Sequence, residues 1–141
     1  MNSKALLTAL SIFLFSTGLF AQEISPLAEK ALQEKYPNAQ SVEWDKVGKG
    51  EYEADFNFNG AKMAATFDAQ GGWVETETIL KNKDLPKPVK DYIAKTYPKG
   101  DISEVALIEK PTVTGALYRV EIDNNGKDFD LMINAKGEPV E

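Results

Sequence analysis

The chain has 141 residues, of which 43% are hydrophobic and 27% charged, and this is the composition of a globular protein, not of a disordered one. Sixteen basic and 22 acidic residues give a net charge of −6, which argues against nucleic acid and anionic membranes as partners, because both attract clustered Lys and Arg. The sequence contains no His and no Cys, which excludes Ser-His and Cys-His nucleophile pairs, imidazole or thiolate metal sites, and disulfide bonds.

The first 21 residues have the pattern of a secretory signal peptide. Lys4 provides a short basic region, an apolar run extends from residue 5 to residue 15, and Ala21 stands at the expected cleavage point. The apolar run is too short for a stable transmembrane helix. We therefore expect residues 1–21 to be removed and residues 22–141 to form one periplasmic or secreted domain with no membrane attachment.

An amphipathic helix is predicted at the start of the mature chain. Ser25 is a good N-cap, and Pro26 suits the first helical position. Ala28, Leu32 and Tyr36 fall on one face at helical spacing. The proline that follows Tyr36 disfavours helical geometry there, so we expect the helix to end at this point.

Four strands are predicted after this helix, separated by turns that contain glycine. The clearest signal is in the middle pair, where apolar and polar residues alternate on both sides of Asn59-Gly60. Such alternation around Asn-Gly predicts a β-hairpin. The fourth strand is expected at Trp73–Leu80, after a Gly-Gly turn.

The same order of elements returns in the second half of the chain. A polar connection at 81–84 leads to a second amphipathic helix, which ends in Tyr-Pro at 97–98 as the first ends in Tyr-Pro at 36–37. A second hairpin turns at 124–126. The predicted fold is therefore α+β: a tandem repeat of helix plus antiparallel strands, about residues 24–80 and 85–141. Its strands form one broad antiparallel sheet with the helices on one face.

The other face of such a sheet is open, and it is the candidate binding surface. Polar residues alternate there with the large apolar ones, and the two Asn-Gly turns project from the strand ends. Trp73, after the Gly-Gly turn, is the better candidate of the two tryptophans for an exposed aromatic, although large aromatics favour a core position for it as well, and the apolar residue in phase with Trp44 indicates a core position for Trp44. The candidate binding residues are Glu53, Asp55, Asn59, Gly60, Trp73, Arg119, Glu121, Asn125 and Gly126.

Two groups of acidic residues have partial patterns of a functional site, one of a calcium loop and one of a catalytic carboxylate pair. Residues 55–60 and 121–126 resemble the start of a calcium loop, but Thr66 and Met132 stand where the bidentate Glu belongs, so no metal site or cofactor is predicted. Glu75 and Glu77 form an i, i+2 pair, as do the carboxylates at 53 and 55. Acid–base catalysis requires one carboxyl of a pair to be desolvated, and we expect a solvated acidic face instead, with no catalytic residue and no enzyme activity.

Several of these motifs resemble the PepSY-like, β-lactamase-inhibitor-like family of secreted bacterial proteins. The resemblance rests on the Tyr-Pro helix ends, on Tyr-Glu-Ala-Asp-Phe at 52–56 and on Phe-Asp-Ala-Gln-Gly-Gly-Trp at 67–73. It covers nearly all of residues 25–141. It implies two repeats that form a helix-backed antiparallel sheet, and a protein-binding role without catalysis.

The sequence therefore leads to two hypotheses. The first is a non-catalytic extracytoplasmic module, inhibitor-like in its action, that binds another protein through its open sheet face and its turns. The alternative is a sensor that binds a small ligand or a cation on the acidic sheet face.

Overall fold

The computed structural model describes residues 23–48 and 50–140. The predicted signal peptide, residues 1–21, lies outside the described residues. No helix in the described ranges combines the length and the apolar character that a membrane span requires.

Two α-helices and seven β-strands form the described part of the chain. A single 3-10 turn at Asn82–Asp84 joins the fourth strand to the second helix. In chain order the elements are α1 Pro26–Lys35, β1 Gln40–Lys46, β2 Glu51–Phe58, β3 Ala61–Asp68, β4 Trp73–Leu80, α2 Lys87–Thr96, β5 Gly100–Glu109, β6 Leu117–Asn124 and β7 Asp128–Asn134.

All seven strands belong to one antiparallel sheet in which each strand pairs with the next in the chain, from β1 at one side to β7 at the other. The predicted α+β class with a broad antiparallel sheet is confirmed. The strand predicted at Trp73–Leu80 has these same ends in the structure.

Helix α1 begins and ends where the sequence pattern predicts. The Ser25 hydroxyl oxygen accepts a hydrogen bond from the Ala28 amide at 3.4 Å, and Pro26 lies in the first turn. Tyr36 is the C-cap, because the proline after it disfavours helical backbone geometry.

Both helices pack on the same face of the sheet. Leu32 and Tyr36 of α1 are buried against β2 and β3, and Val89 of α2 is buried against β5, β6 and β7. On β4, the Thr76 hydroxyl is hydrogen-bonded to the Tyr36 hydroxyl at 2.6 Å, and Leu80, on the same side of that strand, packs against the α2 core. Each fully buried large apolar side chain stabilises the fold by about 1.5–3 kcal/mol, so this packing fixes which face of each strand lies under the helices.

The turn between β3 and β4 holds the start of α1 in place. The Ser25 hydroxyl donates a hydrogen bond to the Ala69 carbonyl at 2.7 Å. Gly71 has φ +83°, and a Cβ atom on it would lie 2.7 Å from the Leu27 carbonyl oxygen. Glycine is therefore required at 71 both by the left-handed backbone and by the close approach of the helix.

Replacement of this glycine tests the contact. Gly71→Ala is expected to lower the free energy of unfolding by about 2–4 kcal/mol, because left-handed backbone costs about 1–2 kcal/mol for alanine and the clash with Leu27 adds to it. Gly60→Ala is the matched control: Gly60 has φ +81°, but an added Cβ would meet no atom within 4 Å. Denaturant unfolding should show a loss of about 1 kcal/mol for this control. Equal losses in the two variants would mean that the contact with α1 contributes nothing.

Candidate functional site

The open face of the sheet is built by strand alternation. Ala54 and Phe56 of β2 are buried under α1, so Glu53 and Asp55, which alternate with them, lie on the other face. Strand register extends this pattern into two rows of side chains across β1, β2, β3 and β4. Three carboxylates stand in each row, and we call them together the acidic rows: Asp45, Glu53 and Glu75 in the first, Glu43, Asp55 and Glu77 in the second.

Glu53 is the most perturbed group of the acidic rows. Its side chain is half-buried, and this desolvation, followed by the negative charges of Asp55, Glu77 and Asp45, raises its pKa from 4.5 to about 7. At neutral pH the carboxyl is therefore only partly ionised. The sequence predicted a solvated acidic face, whereas the Glu53 side chain is half-buried and its charged form is disfavoured.

Two further members of the acidic rows are affected in the same direction. Desolvation, together with Asp45 and Glu43, raises the pKa of Asp55. Burial also raises the pKa of Glu77, although the positive charge of Arg119 opposes this effect. The rows therefore carry more negative charge than the fold compensates.

Arg119 of β6 provides part of the compensation. Its Nη2 atom donates to a carboxylate oxygen of Glu77 at 2.6 Å and of Glu104 at 3.2 Å, and only 12% of its side chain is exposed. Its Nε atom is buried and has no hydrogen-bond partner among the described residues. Lys110 forms a second ion pair with the acidic rows, through Glu75. Arg119 is thus a shared counter-ion between two carboxylates on different strands.

An apolar cluster lies beside the acidic rows on the same face. Ala106 and Ile108 alternate with β5 residues that pack under α2, and with Leu117 of β6 they are 0%, 2% and 6% exposed. Met132 of β7 packs against them. These residues are buried although they lie opposite the helices, so neighbouring side chains of the open face cover them.

Glu121 lies further along β6, on the same face as Arg119. It pairs across the sheet with Glu104 and with Asp130. Partial desolvation and the charges of these two neighbours raise its pKa. Glu121 therefore extends the acidic surface beyond Arg119 on its other side.

The two Asn-Gly turns lie at one end of the sheet. β2 and β6 run in the same direction in the antiparallel order, so the turns that follow them project from the same end. Asn59 and Asn125 have φ values of 51° and 59°, and both turns are exposed. This backbone is that of tight hairpin turns, in which Asn and Gly tolerate positive φ.

Trp73 lies apart from the other candidate residues. It pairs with Phe67 and packs in the α1 core, on the helix-covered face and at the opposite end of the strands from the two turns. Its Nε1 donates to the Thr76 hydroxyl at 2.9 Å, and the Lys35 ammonium lies 3.7 Å from its ring centroid. The structure thus brings together Glu53, Asp55, Arg119 and Glu121 on the open face and places Trp73 elsewhere.

Sequence reasoning missed two parts of this face. The sequence suggested Glu77 only as a member of a carboxylate pair with Glu75. Its ion pair with Arg119 was missed, because no local pattern indicates that β4 and β6 lie on either side of the same strand, β5. The apolar cluster had a readable signal, since Val105–Ile108 is apolar without alternation, as in a strand buried on both faces. Within residues 23–48 and 50–140, no group of three or more acidic side chains has a geometry that could hold a metal ion.

Known proteins resemble this chain both in a family model and in the fold of solved structures. Residues 50–139 match a family model described as "Putative beta-lactamase-inhibitor-like, PepSY-like". A BLIP-like protein from Bacteroides fragilis is 28% identical, with a TM-score of 0.74 over 85% of each chain. A DUF2874 family protein from Bacteroides uniformis is 26% identical, with a TM-score of 0.74 over 82% of this chain and 86% of that one. A structure described as "putative periplasmic proteins" from Bacteroides eggerthii, 22% identical with a TM-score of 0.76 over 85% of this chain and 88% of that one, shows the shared fold. A search of curated proteins found no match.

The raised pKa of Glu53 predicts that stability depends on pH. The folded state holds this proton more tightly than the unfolded state, so the free energy of unfolding should fall as pH rises from about 4.5 to about 7. We expect a fall on the order of 1–3 kcal/mol in the wild type, and Glu53→Gln should remove most of it and be the more stable protein at pH 8. Glu34→Gln, an exposed carboxylate on α1, is the control and should leave the slope unchanged. If the free energy of unfolding depends on pH in the same way in the wild type and in Glu53→Gln, the pKa of Glu53 is not raised in the folded state.

Arg119 is expected to stabilise the open face by compensating two carboxylates. Arg119→Met should lower the free energy of unfolding at pH 8 by about 2 kcal/mol, because Glu77 and Glu104 are left without their cation. Adding Glu77→Gln to this variant should recover part of the loss. Lys87→Met, which breaks an exposed ion pair with Asp91, should change stability by less than about 1 kcal/mol in thermal or denaturant unfolding. If Arg119→Met also changes the free energy of unfolding by less than about 1 kcal/mol, the ion pairs of Arg119 with Glu77 and Glu104 do not stabilise the fold.

Proposed function

The chain belongs to the PepSY-like, beta-lactamase-inhibitor-like family, and we propose that it is a non-catalytic protein-binding module of the extracytoplasmic space. Its binding surface is the open sheet face. The observation that carries this proposal is the incomplete charge compensation of the acidic rows, in which Glu53 is half-buried with a pKa of about 7. Burial and the neighbouring carboxylates both disfavour the charged form of Glu53, and the positive charge of a cationic partner surface would favour it.

The neighbouring features of the face support the same role. The buried apolar cluster of Ala106, Ile108 and Leu117 provides a packed base beside the charged side chains of this face. Arg119, held between Glu77 and Glu104, orients the carboxylates at this boundary. A partner surface that presents Lys or Arg fits the acidic rows.

The location follows from the proposed signal peptide at residues 1–21, whose removal leaves a periplasmic or secreted domain at 22–141. An inhibitor-like action is the finer form of the proposal. The turn tips at 59–60 and 125–126 project from one end of the sheet, and they are small and rigid enough to enter the cleft of an extracytoplasmic enzyme.

We also infer that the domain arose as a tandem repeat. Asp68 and Asn134 each end a strand, and each accepts side-chain hydrogen bonds from amides two and four residues later. Gly71 and Gly137 follow with φ +83° and +80°, and each lies against the first turn of a helix. These matched turns support two units, of about 24–80 and 85–141.

Affinity capture with the mature domain tests the binding role. The open-face variant Glu53→Gln/Asp55→Asn/Glu77→Gln is expected to bind the captured partner at least tenfold more weakly at pH 8, in titrations with the purified partner. The control Asp84→Asn/Asp91→Asn removes charges on the helix side and should bind as the wild type does. Denaturant unfolding of the open-face variant, which also loses the Arg119–Glu77 ion pair, distinguishes a loss of binding from a loss of folding.

Two outcomes would contradict the proposal. One is equal affinity of the partner for the open-face variant and for the wild type. The other is calorimetric binding of calcium or of an apolar small ligand, tighter than about 10 μM, with no protein partner captured. The second outcome would support the alternative, a small-ligand or cation sensor on the acidic face.

A further inference from the structure

Strand β1 lies at one edge of the sheet. It pairs with β2, and no strand lies on its other side among the described residues. Its first part is irregular: the register shifts between Gln40 and Glu43, and Ser41 has φ 54°. From Glu43 to Lys46 the pairing is regular. This second part of β1 therefore presents an extended backbone that an additional strand is able to join.

A cavity borders β1 on the helix side. Its volume is about 340 Å³, within the range of roughly 300–1,000 Å³ in which ligand sites fall. Leu32 of α1 and its C-cap Tyr36 form one wall, and Val42 and Trp44 of β1 form the other. Val42 is 38% exposed, and Trp44 is only half-buried, because α1 does not extend over the edge strand. Glu29, Gln33 and Asn38 also line the cavity, so its rim is polar, and Val42 and Trp44 provide the apolar contact for a side chain that approaches along β1.

The other face of β1 belongs to the acidic rows. Glu43 and Asp45 alternate with Val42 and Trp44 along the strand, and both carboxylates are exposed. They pair with Asp55 and Glu53 on β2, which are acidic as well. One edge strand thus borders a cavity with Val42 and Trp44 in its wall on one side of the sheet and the acidic rows on the other.

We propose that β1 binds an extended segment of the partner protein in which basic and apolar residues alternate. The segment joins the sheet edge beside 43–46. Its apolar side chains enter the cavity at Val42 and Trp44, and its Lys or Arg side chains face Glu43 and Asp45. This inference rests on the proposed function, since it names the part of the partner that docks first and the chemistry that recognises it.

Charge favours a basic segment of a partner protein at β1 over a second copy of this chain and over residues 5–15 of this chain. In a second copy of this chain paired edge to edge, Glu43 and Asp45 would face the same carboxylates, which is unfavourable for directly opposed charges. The segment at 5–15 of this chain is apolar and contains no basic residue, so it lacks the alternation that the two faces of β1 require. A segment with alternating basic and apolar residues complements both faces at once, because successive side chains of a strand point to opposite sides.

Tryptophan fluorescence offers a direct test. In a Trp73→Phe background, Trp44 is the only tryptophan, and it lines the cavity. The probe is a synthetic ten-residue peptide of alternating Lys and Leu, with blocked ends. We expect a saturable blue shift of the Trp44 emission, and new protection of the amides at 43–46 in hydrogen exchange.

Two control peptides separate this mode from simple charge attraction. A block peptide with five Lys followed by five Leu has the same composition without alternation, and it should bind at least fivefold more weakly. The alternating peptide with N-methyl groups on every second residue is unable to form the main-chain hydrogen bonds, and it should bind at least tenfold more weakly. Equal binding of all three peptides would overturn the proposal.

A cavity variant keeps the inference distinguishable from the proposed function. Val42→Gln changes no charge at a partly exposed position, and it should weaken the alternating peptide and the natural partner at least fivefold. If Val42→Gln binds both normally while Glu53→Gln/Asp55→Asn/Glu77→Gln loses the partner, the edge inference is wrong and the open-face function stands. Peptide-independent dimers, detected by analytical ultracentrifugation and lost in Val42→Gln, would also overturn it, because a second copy would then be the occupant.

Discussion

Packing both helices on one face of the sheet is the constraint on which the rest of this structure depends. Once Tyr36 is hydrogen-bonded to Thr76 on β4, and Leu80 of the same strand packs under α2, every strand has one committed face. The alternate residues are forced onto the opposite face, because a strand turns successive side chains to opposite sides. Neighbouring strands lie less than 5 Å apart, so carboxylates that are distant in the chain become close neighbours there. The crowding around Glu53 is a direct result.

This crowding connects stability to binding. Burial of Glu53, together with the carboxylates around it, disfavours its charged form, and Arg119 pairs with only one carboxylate of the acidic rows, Glu77. A cationic partner would complete the compensation, so the same carboxylates that weaken the free fold would strengthen a complex. Sites that are unfavourable in the free protein are often functional for this reason. The edge strand β1 carries two of these carboxylates, which places the proposed docking segment in contact with the same electrostatic field.

Much of the fold was readable because its signals are local. Asn59-Gly60 and the proline after Tyr36 act within a few residues, so the hairpin and the helix end followed from backbone chemistry alone. Trp73 was harder, since a residue after a turn belongs to either face until the strand register is known. The β3–β4 pairing includes a register shift just before Phe67, and this shift places Trp73 in the α1 core. No local pattern specifies such a shift.

The candidate site divides in the same way. The sequence by itself determined which residues alternate away from the apolar ones, and so it identified Glu53, Asp55, Arg119 and Glu121 as one set. Only the tertiary structure decided that Glu77 lies within hydrogen-bond distance of Arg119, that Glu53 is desolvated, and that a cavity opens beside β1. The physical reason is that the charge and periodicity of a residue are properties of the chain. Desolvation and electrostatic coupling are instead properties of the distances between strands, which the order of residues does not contain.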